Sequence, residues 1–317
     1  MSPNPDIVTV TLNPAIDETV FLDELHPGAV NRSQSHHRQA AGKGVNISSM
    51  LAQYGIPSIA TGFLGCQNPG IFENLFHDLE IQDEFLRIGG ETRSGIKIIS
   101  TAKRETTDIN FPGAAPDSGD LGALQDKLRG LLRPGRWFVL AGSLPAGVSV
   151  EYFEGLIKLL KRGGASIAVD CHGPALKSAI ACGVDLIKPN HHELAGILDE
   201  LPTGVSEVHK AAVGIQRNKV AHVIVSLGKD GALFALPDGF FKTSPPPVRV
   251  ISTVGAGDSM LAGYLAGRLS GYPATECAAL ASVFSWSALE DVSRQLPGAG
   301  EIAIRMKRIL VESLNYS

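Results

Sequence analysis

Short, nearly unbroken apolar runs recur along the chain, each closed by a polar residue or a glycine and followed by a stretch with helical spacing. Ile7–Leu12 (IVTVTL), Trp137–Gly142 (WFVLAG), Ser166–Asp170 (SIAVD), Leu186–Asn190 (LIKPN) and His222–Gly228 (HVIVSLG) are of this kind. Runs without polar alternation suit strands covered on both faces, as in a parallel sheet packed between helices. The repeated strand–helix order predicts an α/β fold, a doubly wound and mostly parallel sheet with helices on both faces. The last third is predicted helical, because Gly255–Leu269, Ala274–Leu289 and Glu301–Val311 carry apolar residues at helical spacing.

Two regions break this rhythm. Glu18–Arg38 and Glu91–Asn110 lack helical patterning, and ETVFLDEL, RSGIKIIS and ETTDINF within or beside them alternate more. They are expected to form antiparallel strands of a small β-sheet, built from two insertions at about 18–38 and 91–110 into one α/β domain spanning 1–317. In an open α/β sheet, ligands bind just outside the carboxyl ends of the parallel strands. A small sheet over those ends would act as a lid and exclude water.

Composition narrows the partners. A chain of 317 residues has room for two domains or for one large domain with an insertion, and no repeat or low-complexity linker divides it. With 44% hydrophobic and 19% charged residues it can bury a large core. The net charge of -4 and the lack of a basic block argue against nucleic acid as a partner. Cys66, Cys171, Cys182 and Cys277 form neither a CxxC pair nor a Cys/His metal spacing, so buried, reduced thiols and a cytoplasmic location are expected. The opening residues MSPNPDIVTV do not read as a signal peptide, and no apolar run approaches the roughly 18 residues of a membrane span. A soluble protein with no membrane partner is expected.

The chemistry concentrates in a few segments. In TVGAGDSMLAGYLAG (Thr253–Gly267), Gly255 and Gly257 open a helix and Asp258 follows at once. Met260 stands where a GxGxxG dinucleotide fingerprint needs its third glycine, which argues against a nicotinamide-dependent dehydrogenase, and AGKG (Ala41–Gly44) lacks the parts of a P-loop. Unobstructed N–H groups at a helix start bind anions. A carboxylate beside them can take a proton from an attacking hydroxyl. By itself, an acidic first-turn residue more often only complements the helix dipole. TLNPAID (Thr11–Asp17) puts Asn13 and Asp17 just past the first strand, where ordinary turn chemistry is the simpler explanation. In AAGKGVNISSMLAQYG, Lys43 lies between Gly42 and Gly44, suited to a phosphate or simply a solvated loop lysine, and Asn46 could bind sugar hydroxyls. In KPNHHEL, Asn190 and Glu193 could arrange water around Mg²⁺, which takes oxygen ligands. Adjacent His191 and His192 point apart on a helix and do not make a ligand pair. Gly228 and Gly231 in VSLGKDGA suit either a turn packed on a nucleotide base or a plain hairpin.

Together, in this order, these motifs resemble the PfkB (ribokinase-like) carbohydrate kinase family over almost the whole chain. TVGAGDSMLAG matches that family's C-terminal signature, and AAGKGVNIS followed by GFLG its N-terminal one. TLNPAID, GKGVN, GETR, NFPG, AGSLPAGV and PPPVRVISTVGAGDSM are most similar to the branch of 1-phosphofructokinases and tagatose-6-phosphate kinases. The resemblance implies a kinase using ATP and Mg²⁺, with Asp258 as base and Gly255, Ala256 and Gly257 as an anion hole. It implies that Asp17, Gly42, Lys43, Asn46, Arg93 and Ser143 hold a sugar phosphate. Lys188, Asn190, Ser226, Gly228 and Gly231 would serve the nucleotide, and Glu193 with Asn190 would act on Mg²⁺ indirectly. It also implies a lid sheet and a homodimer formed through it.

Within that resemblance, fructose 1-phosphate phosphorylated at its 6-hydroxyl is the leading substrate, with tagatose 6-phosphate and fructose 6-phosphate as alternatives. TRSGIKI carries Ser94 and Gly95 where many relatives have an asparagine, so one hydrogen bond to the sugar is expected to be missing or replaced. A non-catalytic sugar-phosphate sensor on the same fold would be marked by loss of the base or the glycines, and Asp258, Gly255 and Gly257 are all present.

Overall fold

The apolar runs become the middle of one large sheet. The computed structural model describes residues 5–314 other than 104, 199–201 and 203. In chain order the strands are β1 (Ile7–Thr11), β2 (Ala15–Leu22), β3 (Ser35–Ala41), β4 (Ile59–Gly65), β5 (Gln82–Asp83), β6 (Leu86–Ile88), β7 (Ser94–Ser100) and β8 (Glu105–Asn110). They continue with β9 (Trp137–Ala141), β10 (Ser166–Asp170), β11 (Leu186–Ile187), β12 (His222–Ser226), β13 (Ala232–Leu236), β14 (Gly239–Ser244) and β15 (Leu310–Ser313). An 11-stranded sheet runs β15-β14-β13-β12-β11-β10-β9-β1-β4-β5, with β6 also paired to β4. From β12 to β5 the pairings are parallel, while β13, β14 and β15 add an antiparallel edge. The predicted strand at Leu186–Asn190 is cut to two residues because Pro189 has no N–H for the ladder, although Asn190 still bridges Ser226.

Helices cover both faces. On one, Val150–Arg162 shows how sequence makes the element. Ser149 caps it by accepting a bond from the Tyr152 N–H at 3.1 Å. Phe153, Leu156, Ile157 and Leu160 then fall on one buried stripe against the sheet. Burying those four side chains stabilises by about 6–12 kcal/mol as an upper bound. On the other face, helices Ala256–Leu269 and Ala274–Glu290 are buried almost all round. Small residues let them approach: a Cβ at Gly263 would lie 2.8 Å from the Leu280 carbonyl oxygen and from the Phe284 ring. This explains the small-residue run after the glycine motif.

The expected helix Glu301–Val311 ends early. It spans Ala299–Arg308, and Leu310–Ser313 pairs with β14 as the edge strand β15. Among the described residues no helix is long and apolar enough to cross a membrane.

The small sheet has the order β3-β2-β7-β8. Its β2–β3 and β7–β8 pairs are antiparallel as expected, but β2 and β7 run parallel. The reason is connectivity. Strand β2 leaves the end of β1 and β7 follows β6, and both β1 and β6 run parallel to β4, so the two outgoing strands share a direction. All four cysteines are free thiols, but only Cys171 and Cys277 are buried; Cys182 is half-buried and Cys66 is exposed in the turn after β4.

Candidate active site

The site forms where the parallel strands end. The strand order reverses about β1, which has β4 on one side and β9 on the other, and such switch points open a crevice at the carboxyl ends. Here Asn13, past β1, donates from Nδ2 to the Oγ of Ser143, past β9, at 2.9 Å. The next strand over, β10, ends in Asp170, and Lys188 follows β11.

Asp258 lies in the first turn of helix Ala256–Leu269 and is 6% exposed. Its Oδ2 accepts a 2.7 Å bond from Asn46 Nδ2, on helix Lys43–Gln53. Asp170 is fully buried between two ammonium groups, with Lys43 Nζ at 2.7 Å and Lys188 Nζ at 3.1 Å. These charges set the protonation chemistry. Burial, and then the negative field of Asp170, push the Asp258 carboxyl above the ordinary range, only partly offset by Lys43, Asn46 and Lys188. Burial would also raise Asp170, but Lys188 and Lys43 outweigh it and hold that carboxyl down. Burial disfavours the Lys43 ammonium, but Asp170, Asp258 and Glu193 more than compensate and keep it firmly charged.

The glycine motif makes the floor between these charges. Gly255 takes φ 77°, a left-handed conformation that favours glycine, and no side chain caps the helix it opens. Lys188 Nζ would lie 3.0 Å from a Cβ at Gly257, and Arg294 Cδ would lie 2.7 Å from one at Gly255. The helix N-terminus is thus flanked by an ammonium and a guanidinium, an arrangement suited to an anion.

Two spaces adjoin this floor. A cavity of about 230 Å³ is lined by Asp17, Lys43, Asn46, Arg93, Lys97 and Asp258, with Gly42, Asn110, Ser143 and His172 also on its wall. Its outer wall is one face of the small sheet. Asp17 pairs with Gly95 across β2 and β7, and Gly95 with Asn110 across β7 and β8. Strand alternation then puts Lys97 on the same face as Gly95. Lys97 Nζ meets Asp17 Oδ2 at 2.7 Å, and Arg93 Nη1 donates to Asn110 Oδ1 at 3.2 Å. Asn110 Oδ1 would lie 3.3 Å from a Cβ at Gly95. The missing side chain there therefore leaves room for the Asn110 amide.

The second space is a cleft of about 610 Å³ lined by Ser226, Gly228, Gly231, Pro246, Ala256 and Gly257 among others. Residues Gly228–Asp230 form the single turn joining antiparallel β12 and β13, so this segment is a hairpin as well as a cleft wall. Gly231 serves the hairpin directly, since a Cβ there would fall 1.8 Å from the Thr243 carbonyl oxygen.

Asn190 and Glu193 cap helix His191–Leu198 reciprocally. Each side-chain oxygen accepts the other residue's backbone N–H at 2.8 Å. Only one Glu193 oxygen is used in this way, and Glu193 adds to the field at Lys43. An oxygen-only donor set whose charge is felt at Lys43 fits a magnesium ion held mainly through water and phosphate oxygens.

Of the sequence-derived candidates, Asp17, Gly42, Lys43, Asn46, Arg93, Ser143 and Asp258 line one cavity, and Ser226, Gly228, Gly231, Ala256 and Gly257 line the adjoining cleft. Gly255 and Lys188 stand at the floor between them. Asn190 and Glu193 line neither space. Sequence reading missed Asp170, Lys97, Asn110 and Arg294. The only available signals were a charged residue closing the SIAVD run and the lysine two positions after Gly95 on an alternating strand.

The chain is similar to known proteins in both sequence and fold. The family model described as "pfkB family carbohydrate kinase" matches residues 10–297. A 1-phosphofructokinase of Rhodobacter capsulatus is 38% identical, covering 97% of this chain and 98% of the relative. One from Xanthomonas campestris is 39% identical over 89% and 91% of the two chains. The solved structure of phosphofructokinase-2 from Escherichia coli with substrates and products superposes with TM-score 0.90 at 27% identity, over 95% of this chain and 98% of that one. The chain belongs to the pfkB family of carbohydrate kinases.

Proposed function

We propose that this kinase transfers the γ-phosphoryl group of ATP to the 6-hydroxyl of fructose 1-phosphate, giving fructose 1,6-bisphosphate and ADP. The observation that carries this reading is the meeting of two spaces at Asp258. A cavity bearing Arg93 and Lys97 lies on one side, and an open cleft beside the glycine floor lies on the other. Similarity to full-length 1-phosphofructokinases supports the choice of sugar.

The sugar phosphate occupies the smaller cavity. Its resident phosphate is held by Arg93 and Lys97, cations fixed on the small sheet. Asp17, Asn46 and Ser143 orient the hydroxyls. ATP lies in the larger cleft with its γ-phosphate over Gly255–Gly257. Asp258 accepts the proton of the attacking hydroxyl, and its raised pKa brings its basicity closer to what that transfer needs at neutral pH. Lys43 and Lys188, locked on Asp170, fix positive charge where the phosphoryl group passes. Glu193 and Asn190 would hold the water shell of a magnesium ion, which would supply charge neutralisation on the phosphates. Exposed Ile109 and Phe111 at the outer edge of the small sheet suit a homodimer formed through that sheet.

The test is a phosphosugar screen with purified protein, ATP and Mg²⁺. Fructose 1-phosphate should give the highest kcat/KM, above tagatose 6-phosphate and fructose 6-phosphate. A phosphofructokinase-2 structure of this fold holds fructose-6-phosphate, at TM-score 0.87 and 26% identity. A preference for that sugar would therefore reassign the substrate within the family.

A further inference from the structure

Arg294 has no role in the scheme above, yet the fold goes to some length to place it. It lies in the turn after helix Ala274–Glu290, far in sequence from every motif. Its backbone is left-handed at φ 55°, a conformation that costs a non-glycine residue about 1 kcal/mol or more. Braces hold the turn. Arg294 N–H donates to the Asp291 carbonyl at 3.1 Å, and Asp291 Oδ1 accepts the Ser293 N–H at 3.0 Å. Gln53, at the end of helix Lys43–Gln53, donates to the Arg294 carbonyl at 3.4 Å and accepts the Leu296 N–H at 2.8 Å.

The side chain this turn delivers is buried, only 6% exposed. Among the described residues its Nη1 has no hydrogen-bond partner, although a guanidinium nitrogen out of water ordinarily demands one. It rests over the first glycine of the cradle, where Nη1 would lie 3.0 Å from a Cβ at Gly255. Burial disfavours its charge, and Asp258 and then Asp17 partly offset that, so the guanidinium lies within electrostatic reach of the base and of a residue of the sugar cavity. Lys188 stands at the opposite glycine, Gly257. A fixed cation with an unused N–H, lying against a glycine floor beside a general base, has no ion-pair partner among the described residues.

We propose that Arg294 is a catalytic residue, its guanidinium donating to the phosphoryl group in flight and carrying part of its charge in the transition state. This rests on the kinase reading above. In the step, the bond from the γ-phosphorus to the β,γ-bridging oxygen breaks and its electron pair leaves on ADP. The sugar hydroxyl oxygen forms the new bond to phosphorus, and its proton passes to Asp258. Arg294 forms and breaks no covalent bond. It supplies N–H donors already oriented before the charge shifts, which is where fixed donors gain most. The small Gly255 is what lets it approach that closely.

The test compares Arg294→Ala and Arg294→Lys with wild type, on whichever phosphosugar the wild type turns over, so that the choice of sugar does not affect it. Arg294→Ala should lower kcat by about 10²–10³-fold with KM for ATP and sugar within about threefold, the split expected when an interaction belongs to the transition state. Binding gives an independent readout. With sugar present, calorimetric affinity for ADP plus aluminium fluoride should fall at least about 30-fold, while that for ADP alone changes less than about threefold, because only the former imitates the phosphoryl group in flight. Added guanidinium chloride at tens of millimolar should restore kcat of Arg294→Ala by at least about tenfold, which a merely structural role would not allow. If Arg294→Ala fails to fold, Arg294→Lys decides. It keeps a charge but loses the planar fork, so kcat should fall about tenfold or more at an unchanged melting temperature. A folded Arg294→Ala with kcat within about fivefold of wild type, or a loss confined to sugar KM, overturns the proposal. So does undiminished affinity for the fluoride complex, or an Arg294→Lys variant with wild-type kcat. A wild type that turns over no phosphosugar overturns both this proposal and the kinase reading.

Discussion

Asp170→Asn removes the buried charge on which Lys43 and Lys188 converge, and its consequences can be worked out on two axes. Asp170 is fully buried and Lys188 is 4% exposed, so their interaction is little screened, while Lys43 is 30% exposed and its share must be discounted. Removing one partner of a buried ion pair typically costs about 3–5 kcal/mol, because the remaining charge is left uncompensated. With an unfolding entropy of about 2.1 cal/mol/K per residue, a 317-residue chain loses about 4–8 °C of melting temperature for that change. The sign with pH follows from the lowered pKa of Asp170. Its contribution is fully present above the ordinary carboxylate value and is lost only as pH falls through the lower folded value, so the whole loss shows at neutral pH. The second axis is catalysis. Asp170 is one of the groups that raise the Asp258 pKa, and its removal leaves Lys43 and Lys188 to lower it. The acid limb of the kcat–pH profile should therefore move to lower pH. Differential scanning calorimetry and a pH–rate profile measure the two effects. A melting temperature within 1 °C of wild type, or an acid limb that moves upward, would refute this view of the charge cluster.

Other expectations concern the substrate side. Arg93→Ala and Lys97→Ala should each lower kcat/KM for the phosphorylated sugar at least tenfold, at about 1.5–3 kcal/mol for a charge-assisted bond, while KM for ATP stays within about threefold; steady-state kinetics against free fructose as the control decide it. Glu193→Gln should raise the Mg²⁺ concentration for half-maximal rate, read by titrating the metal at fixed ATP, because one anionic oxygen is lost while the reciprocal helix cap can be kept.

The sheet was legible because its strands are local: an unbroken apolar run closed by Asp170 or Ala141 needs no distant information. Asp258 was legible for the same reason, since it is contiguous with its glycines in TVGAGD. What the sequence could not show is assembled across strands. Asp17, Lys97 and Asn110 meet only because β2, β7 and β8 pair in one register, and the parallel sense of β2 and β7 depends on where each strand enters the small sheet. Arg294 is the extreme case. It lies in an irregular DVSRQLP segment with no periodicity, and only the tertiary approach of Gln53 and Gly255 gives it meaning. The strand β15 was hidden because Leu310 and Val311 continue the apolar spacing of the helix before them.

The central claim is that Asp258, at the junction of the two spaces, takes the proton of the attacking hydroxyl, and Asp258→Asn tests it most directly. The change keeps size and the Asn46 contact region but removes the proton acceptor. Because the folded-state pKa of Asp258 is raised, its ionised form opposes folding above the ordinary carboxylate pKa. The variant should therefore melt no lower than wild type at neutral pH, and a loss of rate cannot be blamed on unfolding. The measurement is kcat with saturating ATP and fructose 1-phosphate at neutral pH. A fall of about 10²-fold or more, with KM for both substrates changed less than about threefold, is expected. A kcat near that of wild type in the folded variant would contradict the claim.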